Sequence, residues 1–285
     1  MFRLINVDGR AALEHEGSWF DLGRLSGDET LADPMVAVAR HEELHALAER
    51  CAGATADGAV AETVLGAPVP RPSQVFGIGL NYHEHAGESG MEVPKVPLTF
   101  TKFPSCIVGP TADVPLSGAL VDWEVEIVAV IGRAVSHVAV ADAWDAVAGL
   151  MLGQDISDRG VQLSDSPPQF SLGKSFAAYG PTGPAMVSVD GFEDRDDIGL
   201  WCEVAGEPMQ EGRTSELIFS IPTLVAYLSS ICTLRPGDLI FTGTPSGVGL
   251  ARGRFLAEGE LIVSSAEVIG ELGNRCVAGA GPLAL

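Results

Sequence analysis

The chain has 285 residues and carries 17 Lys and Arg against 38 Asp and Glu, a formal net charge of −21 with histidine neutral. Such a surface repels phosphate backbones and anionic lipid, so neither a nucleic-acid nor a membrane partner is expected. With 46% hydrophobic and 19% charged residues the composition is that of a globular protein with a full core, and no apolar run approaches the roughly 18 to 20 residues of a membrane helix.

Asp8 and Arg10 follow directly on a short apolar start, which leaves no secretory apolar region and points to the cytoplasm. The cysteines at 51, 106, 202, 232 and 276 are scattered without a CxxC pair and read as buried thiols. Residues 1–70 are expected to form a small α+β domain: a strand pair near 3–7 and 12–22, then a helix over 33–51. In that helix Val36, Val38, Leu44, Leu47 and Ala48 make the apolar stripe, while His41, Glu42, Glu43, Glu49 and Arg50 face water. His41 and His45 stand at the i,i+4 spacing of metal ligands but lack the glutamate of an HExxH motif, and read as surface histidines.

Pro68-Val-Pro-Arg-Pro72 stiffens the chain and sets a boundary before a second domain over 71–285. There the texture changes to short strands separated by Gly and Pro, expected at 74–80, 98–101, 124–131, 151–156, 186–189, 200–204, 238–241 and 260–264. Helices are expected at 140–148 and 221–232. Runs of strands with few helices argue for a mixed β-rich (α+β) fold of barrel or sandwich type and against a doubly wound parallel sheet.

Asp122-Trp-Glu-Val-Glu-Ile-Val-Ala-Val-Ile-Gly132 carries the most chemistry. Strand side chains alternate, so Glu124 and Glu126 share one face of an otherwise apolar strand. They are either a solvated edge or a pair whose repulsion and lost hydration a bound cation offsets. Asp155 tips the balance, because it ends another apolar strand beside Arg159. Oxygen-only ligands suit Mg²⁺ or Mn²⁺, with Ca²⁺ possible, and three carboxylates leave positions for water and substrate.

Six segments, in order, resemble the fumarylacetoacetate hydrolase (FAH) family: Gly77-Ile-Gly-Leu-Asn-Tyr-His-Glu-His-Ala-Gly-Glu88, Asp122-Trp-Glu-Val-Glu126, Gln154-Asp-Ile-Ser-Asp-Arg159, Gly173-Lys-Ser-Phe176, Gly206-Glu-Pro-Met-Gln210 and Thr242-Gly-Thr-Pro-Ser-Gly-Val-Gly249. The resemblance spans roughly residues 70 to 275. It implies an FAH-type β-roll or distorted β-barrel, a homodimer, and Mg²⁺ or Mn²⁺ on Glu124, Glu126 and Asp155. It further implies that His85, oriented by Glu88, activates the attacking water, against the plain reading of a surface histidine at a helix start.

Lys174 is one of only three lysines in the chain and is expected to neutralise carboxylate charge or hold an oxyanion. Lys102 lies in a Phe-x-Lys strand similar to the family's, without an assigned role. Thr244 and neighbouring backbone amides in the glycine-rich segment, together with Arg159 and Gln162, are expected to bind the substrate. The sequence departs from the family pattern at Gly160 and Ala205, and the Pro-rich residues 163–170 are expected to shape the substrate entrance. The resemblance implies C–C hydrolysis of an acylpyruvate-like 2,4-dioxo acid, a small anionic partner, with isomerisation of a hydroxymuconate-type dienoate or decarboxylation of an oxaloacetate-like acid as alternatives. A non-catalytic binding module is disfavoured by the open acidic site.

Overall fold

The computed structural model describes residues 1–88 and 93–281, apart from the side chains of His85, Ala86 and Glu88. Strands β1 (Arg3–Val7), β2 (Arg10–His15) and β3 (Ser18–Asp21) form a meander. Its two turns put Asp8 and Gly9, then Glu16 and Gly17, at positive φ, the backbone that two-residue hairpins require. The single strand expected over 12–22 is therefore two strands with a turn at Glu16 and Gly17. The expected helix over 33–51 is also interrupted, into α1 (Pro34–Ala39) and α2 (His41–Cys51). Asp33 caps α1 by accepting from the Met35 amide, whereas Arg40 leaves helical geometry and pairs its guanidinium with Asp28 and Glu43. The apolar stripe runs through this break, so periodicity could not reveal it. His41 is half-buried rather than water-facing, with Nδ1 3.1 Å from the Val38 carbonyl.

The larger part of the chain contributes β4 (Val75–Gly79), α3 (His83–Glu88), β5 (Leu98–Thr101), β6 (Val114–Leu116), β7 (Val125–Ile131), β8 (Val147–Gln154), β9 (Gly180–Ser188), β10 (Gly199–Val204), β11 (Glu207–Arg213), α4 (Ile221–Ser229), β12 (Leu239–Phe241), β13 (Leu261–Ala266) and β14 (Gly270–Ala278). Among the described residues a twelve-stranded sheet runs β3-β2-β1-β9-β8-β7-β12-β4-β5, with three two-residue strands along its edges and flanks. The N-terminal meander thus continues the main sheet, Arg3 pairing with Val187. A second sheet runs β11-β10-β13-β14-β6, and the path of the first does not close on itself. The fold is mixed and β-rich, a distorted roll rather than a sealed barrel.

Strands β7 and β8 are buried along their whole length, which is why both read as near-continuous apolar runs. The helix expected at 140–148 is a 3-10 run over Val140–Ala146, and the apolar residues after it belong to β8. Helix α4 ends at Ser229, short of the expected 232. Because β7 is antiparallel to both β8 and β12 (Val125 opposite Gln154, Val128 opposite Phe241) and β12 is parallel to β4, one end of the sheet gathers the start of β7 and the ends of β8, β12 and β4. The chain leaves the sheet there, and the acidic residues sit there. Among the described residues no helix is long and apolar enough to cross a membrane.

Candidate active site

Glu124 and Glu126 flank Val125 at the start of β7, and Asp155 follows the last residue of β8. Pairing of Val125 with Gln154 brings them together, and the Asp155 amide donates to the Glu124 carbonyl at 2.8 Å. One oxygen from each of the three carboxylates lies within 4.8 Å of the others, and all three residues are buried. Glu126 is strained electrostatically: burial, then the charges of Asp155 and Glu124, hold its pKa well above the ordinary glutamate value. The charge of Lys174, and then a hydrogen bond from the Gly243 amide to Glu126 Oε2 at 2.7 Å, partially offset this. Gly243 has φ +103°, and a Cβ there would press on Asn81 at 2.7 Å, so only glycine lets the backbone come this close.

Lysines complete the cluster. Lys174 Nζ donates to Glu124 Oε2 at 2.6 Å, Asp155 Oδ2 at 2.7 Å and Ser157 Oγ at 2.8 Å. Lys102, to which the sequence assigned no role, is fully buried on β5's continuation. Its ammonium donates to Asp155 Oδ1 at 2.6 Å, to the Tyr179 carbonyl at 3.0 Å and to the Lys174 carbonyl. Burial works against the Lys102 ammonium, but Asp155 beside it prevails and raises its pKa above the usual lysine value. Lys95, the remaining lysine, is exposed.

Arg159 lies across the same cluster. It donates from Nε to Asp122 Oδ2 at 2.8 Å, from Nη2 to Glu124 Oε1 at 2.6 Å and from Nη1 to Gln162 Oε1 at 2.9 Å. Three of its five N–H groups are thereby committed inside the protein, so it braces the site more than it reaches out from it. Asp122, also unremarked from sequence, accepts in addition from the amides of Trp123, Gly249 and Leu250. With its carbonyl oxygen held by Arg159, the Gln162 amide has a fixed orientation, and its buried Nε2 has no hydrogen-bond partner among the described residues. Thr244 is fixed too: its hydroxyl donates to the Val125 carbonyl at 2.9 Å and accepts from Gln210 at 2.8 Å. Its remaining acceptor capacity, not its proton, is open to a ligand.

A cavity of about 320 Å³ opens on this cluster. Glu124, Arg159, Gln162, Lys174 and Thr244 contribute its polar lining, and Leu163 and Phe170 from the Pro-rich segment stand in its wall. Asn81 anchors the chain just before α3, donating to the Thr242 and Phe219 carbonyls at 2.7 and 3.0 Å and accepting from the Phe219 amide at 2.8 Å. The side chains of His85 and Glu88, placed on α3 by sequence, lie outside the described residues.

Residues 74–277 match the model of the family described as Fumarylacetoacetate (FAA) hydrolase C-terminal. The chain belongs to the fumarylacetoacetate hydrolase family. Within it, the human Oxaloacetate tautomerase FAHD2A, mitochondrial, is 40% identical over 220 residues, covering 76% of this chain and 70% of the relative. A crystal structure of a Mycobacterium smegmatis protein superposes with a TM-score of 0.89 at 44% identity, covering 97% of this chain and 99% of that one. Maleylpyruvate hydrolase from Sphingobium sp. SYK-6, solved with manganese(II) and pyruvate, superposes at a TM-score of 0.82 and 27% identity, covering 97% and 99%. This family member is therefore an enzyme by kinship, and its buried carboxylate triad fits a hard divalent cation: all donors are oxygens, and Glu126 is destabilised as an anion without one.

Proposed function

We propose that this protein is a divalent-metal-dependent hydrolase that cleaves the C3–C4 bond of an acylpyruvate-like 2,4-dioxo acid. One arrangement carries the reading: three buried carboxylates, two of them, Glu124 and Asp155, sharing Lys174, at the floor of a cavity of about 320 Å³. Glu124, Glu126 and Asp155 would hold Mg²⁺ or Mn²⁺, which when bound supplies Lewis-acid polarisation of the 2-oxo acid end. Lys174 stands at the same carboxylates and stabilises negative charge that develops on the pyruvyl oxygen. Gln162 Nε2, oriented by Arg159, is free to donate to a carbonyl oxygen of the substrate.

His85, held by Glu88, takes the proton of the attacking water. The water oxygen bonds to C4, the C3–C4 bond breaks with its electron pair passing to C3, and protonation of the resulting enolate gives pyruvate beside a carboxylic acid. The protein acts in the cytoplasm as a homodimer, with residues 1–70 as its smaller unit and 71–285 as the catalytic one.

A second reading draws on the relative named as an oxaloacetate tautomerase. The same enolate-stabilising site would serve proton transfer at C3, isomerisation or decarboxylation without a hydrolytic water. The variants His85→Ala and Glu88→Gln separate the two. Assayed with Mn²⁺ on acetylpyruvate and on the enol of oxaloacetate, hydrolysis should fall at least about a hundredfold. Failure of the wild type to hydrolyse acetylpyruvate would refute the hydrolytic assignment, retention of hydrolysis by both variants would refute the role of His85 and Glu88 in it, and loss of hydrolysis with tautomerisation intact would locate the water activation at this pair.

A further inference from the structure

The cavity is chemically one-sided. At its floor Glu124 and Lys174 are buried, with side chains 8% and 4% exposed. At its mouth Leu163 and Leu250 also line it but are 48% and 45% exposed. Between them stands an aromatic wall, Phe100 and Phe170 packed edge to face with centroids 5.9 Å apart. Two large apolar side chains left in water at the rim of a cavity gain free energy only when a ligand covers them with apolar surface.

The charge balance points the same way. In the network of described residues Asp122, Glu124, Glu126 and Asp155 meet the cations Lys102, Arg159 and Lys174. That leaves one carboxylate in excess, and a divalent ion would turn the excess into a single positive charge. One carboxylate on the ligand matches it. A second, placed against Leu163, Leu250 and Phe170, would lose hydration with no compensating charge among the described residues of that wall and would add to a chain already at −21.

We propose that the substrate carries a single carboxylate, held at the buried floor, and a neutral apolar tail that covers Leu163, Leu250 and Phe170 at the mouth. The inference rests on the 2-oxo acid reading above and narrows it: monocarboxylic acylpyruvates are taken, and dicarboxylic ones such as fumarylpyruvate are rejected.

The test uses ligands that cannot be cleaved between C3 and C4 for want of a 4-oxo group. Pyruvate, 2-oxoheptanoate and 2-oxoheptanedioate are titrated calorimetrically into the Mn²⁺-loaded protein. 2-Oxoheptanoate should bind at least about tenfold tighter than pyruvate and at least about tenfold tighter than the dicarboxylate. Leu250→Arg, a change at an exposed position, should bring the two seven-carbon acids to parity or reverse them. If pyruvate binds while wild type holds the dicarboxylate as tightly as the monocarboxylate, the tail inference is overturned and the 2-oxo acid reading stands. If pyruvate itself fails to bind, the 2-oxo acid reading falls and takes this one with it.

Discussion

Replacing Lys102 by Met tests whether the site is a balanced charge network. The methionine keeps the length of the side chain but removes a fully buried ammonium, taking a donor from Asp155 Oδ1 and from the carbonyls of Lys174 and Tyr179, the last of which keeps the Ile156 amide. Breaking one partner out of a buried ion pair costs about 3–5 kcal/mol, because the charge left behind is neither hydrated nor paired. At about 2–4 °C per kcal/mol for a chain of this size, the melting temperature in EDTA should fall by roughly 6–20 °C. In the proposed site Mn²⁺ would bind the same carboxylate, so saturating metal should offset part of the lost charge and raise the melting temperature of the variant by more than that of wild type. Differential scanning calorimetry of both proteins, with EDTA and with Mn²⁺, gives all four values. A variant within about 2 °C of wild type in EDTA, or one whose deficit is unchanged by Mn²⁺, would refute the reasoning.

Three further substitutions probe other links of the argument. Glu126→Ala should abolish Mn²⁺ binding measured by calorimetry, since it removes a buried carboxylate that is destabilised as an anion without a cation; binding as tight as in wild type would exclude Glu126 as a ligand. Gly77→Ala would drive a methyl group into the Phe100 ring, so stability in urea should drop by about 1–3 kcal/mol and 2-oxo acid affinity should weaken as the aromatic wall shifts. Asp21 is partly desolvated, yet its bonds from Arg10 and the Arg24 amide prevail and lower its pKa. A depressed carboxylate contributes stability above its unfolded value near 3.8 and loses it as pH falls through the folded value. Asp21→Asn should therefore be less stable than wild type by up to about 1 kcal/mol at pH 7, and urea titrations should show the gap closing below pH 3.8.

The triad was legible because it depends on a local rule. Two-residue alternation puts Glu124 and Glu126 on one face, and a single strand pairing adds Asp155. Lys102 and Asp122 carried no such signal, since the bond from Lys102 to Asp155 spans 53 residues and that from Arg159 to Asp122 spans 37. Their scarcity and burial became meaningful only once the register was known. Element boundaries failed where one pattern served two structures: the apolar residues at 147–148 extend a helical stripe on paper but open β8 in the fold. Strands β11 and β14 went unseen because their sequences, EPMQEGR and GELGNRCVA, carry too much polarity and glycine to read as buried ladders. They are held by their neighbours in the second sheet rather than by their own composition.

The commitment of two of the three lysines to the site has a consequence for proteolysis. Lys102 and Lys174 are enclosed, so a lysine-specific endoprotease acting on the native protein meets one accessible side chain, Lys95, which follows the segment carrying α3. Cleavage after it should yield two fragments, 1–95 and 96–285, that stay associated through the pairing of β4 with β5. The nick leaves the buried charge network covalently intact and severs the main chain between the segment that bears His85 and the strand that leads to Lys102. A native digest thereby becomes a way to ask whether the proposed base and the buried charge network must be joined by a peptide bond to work together.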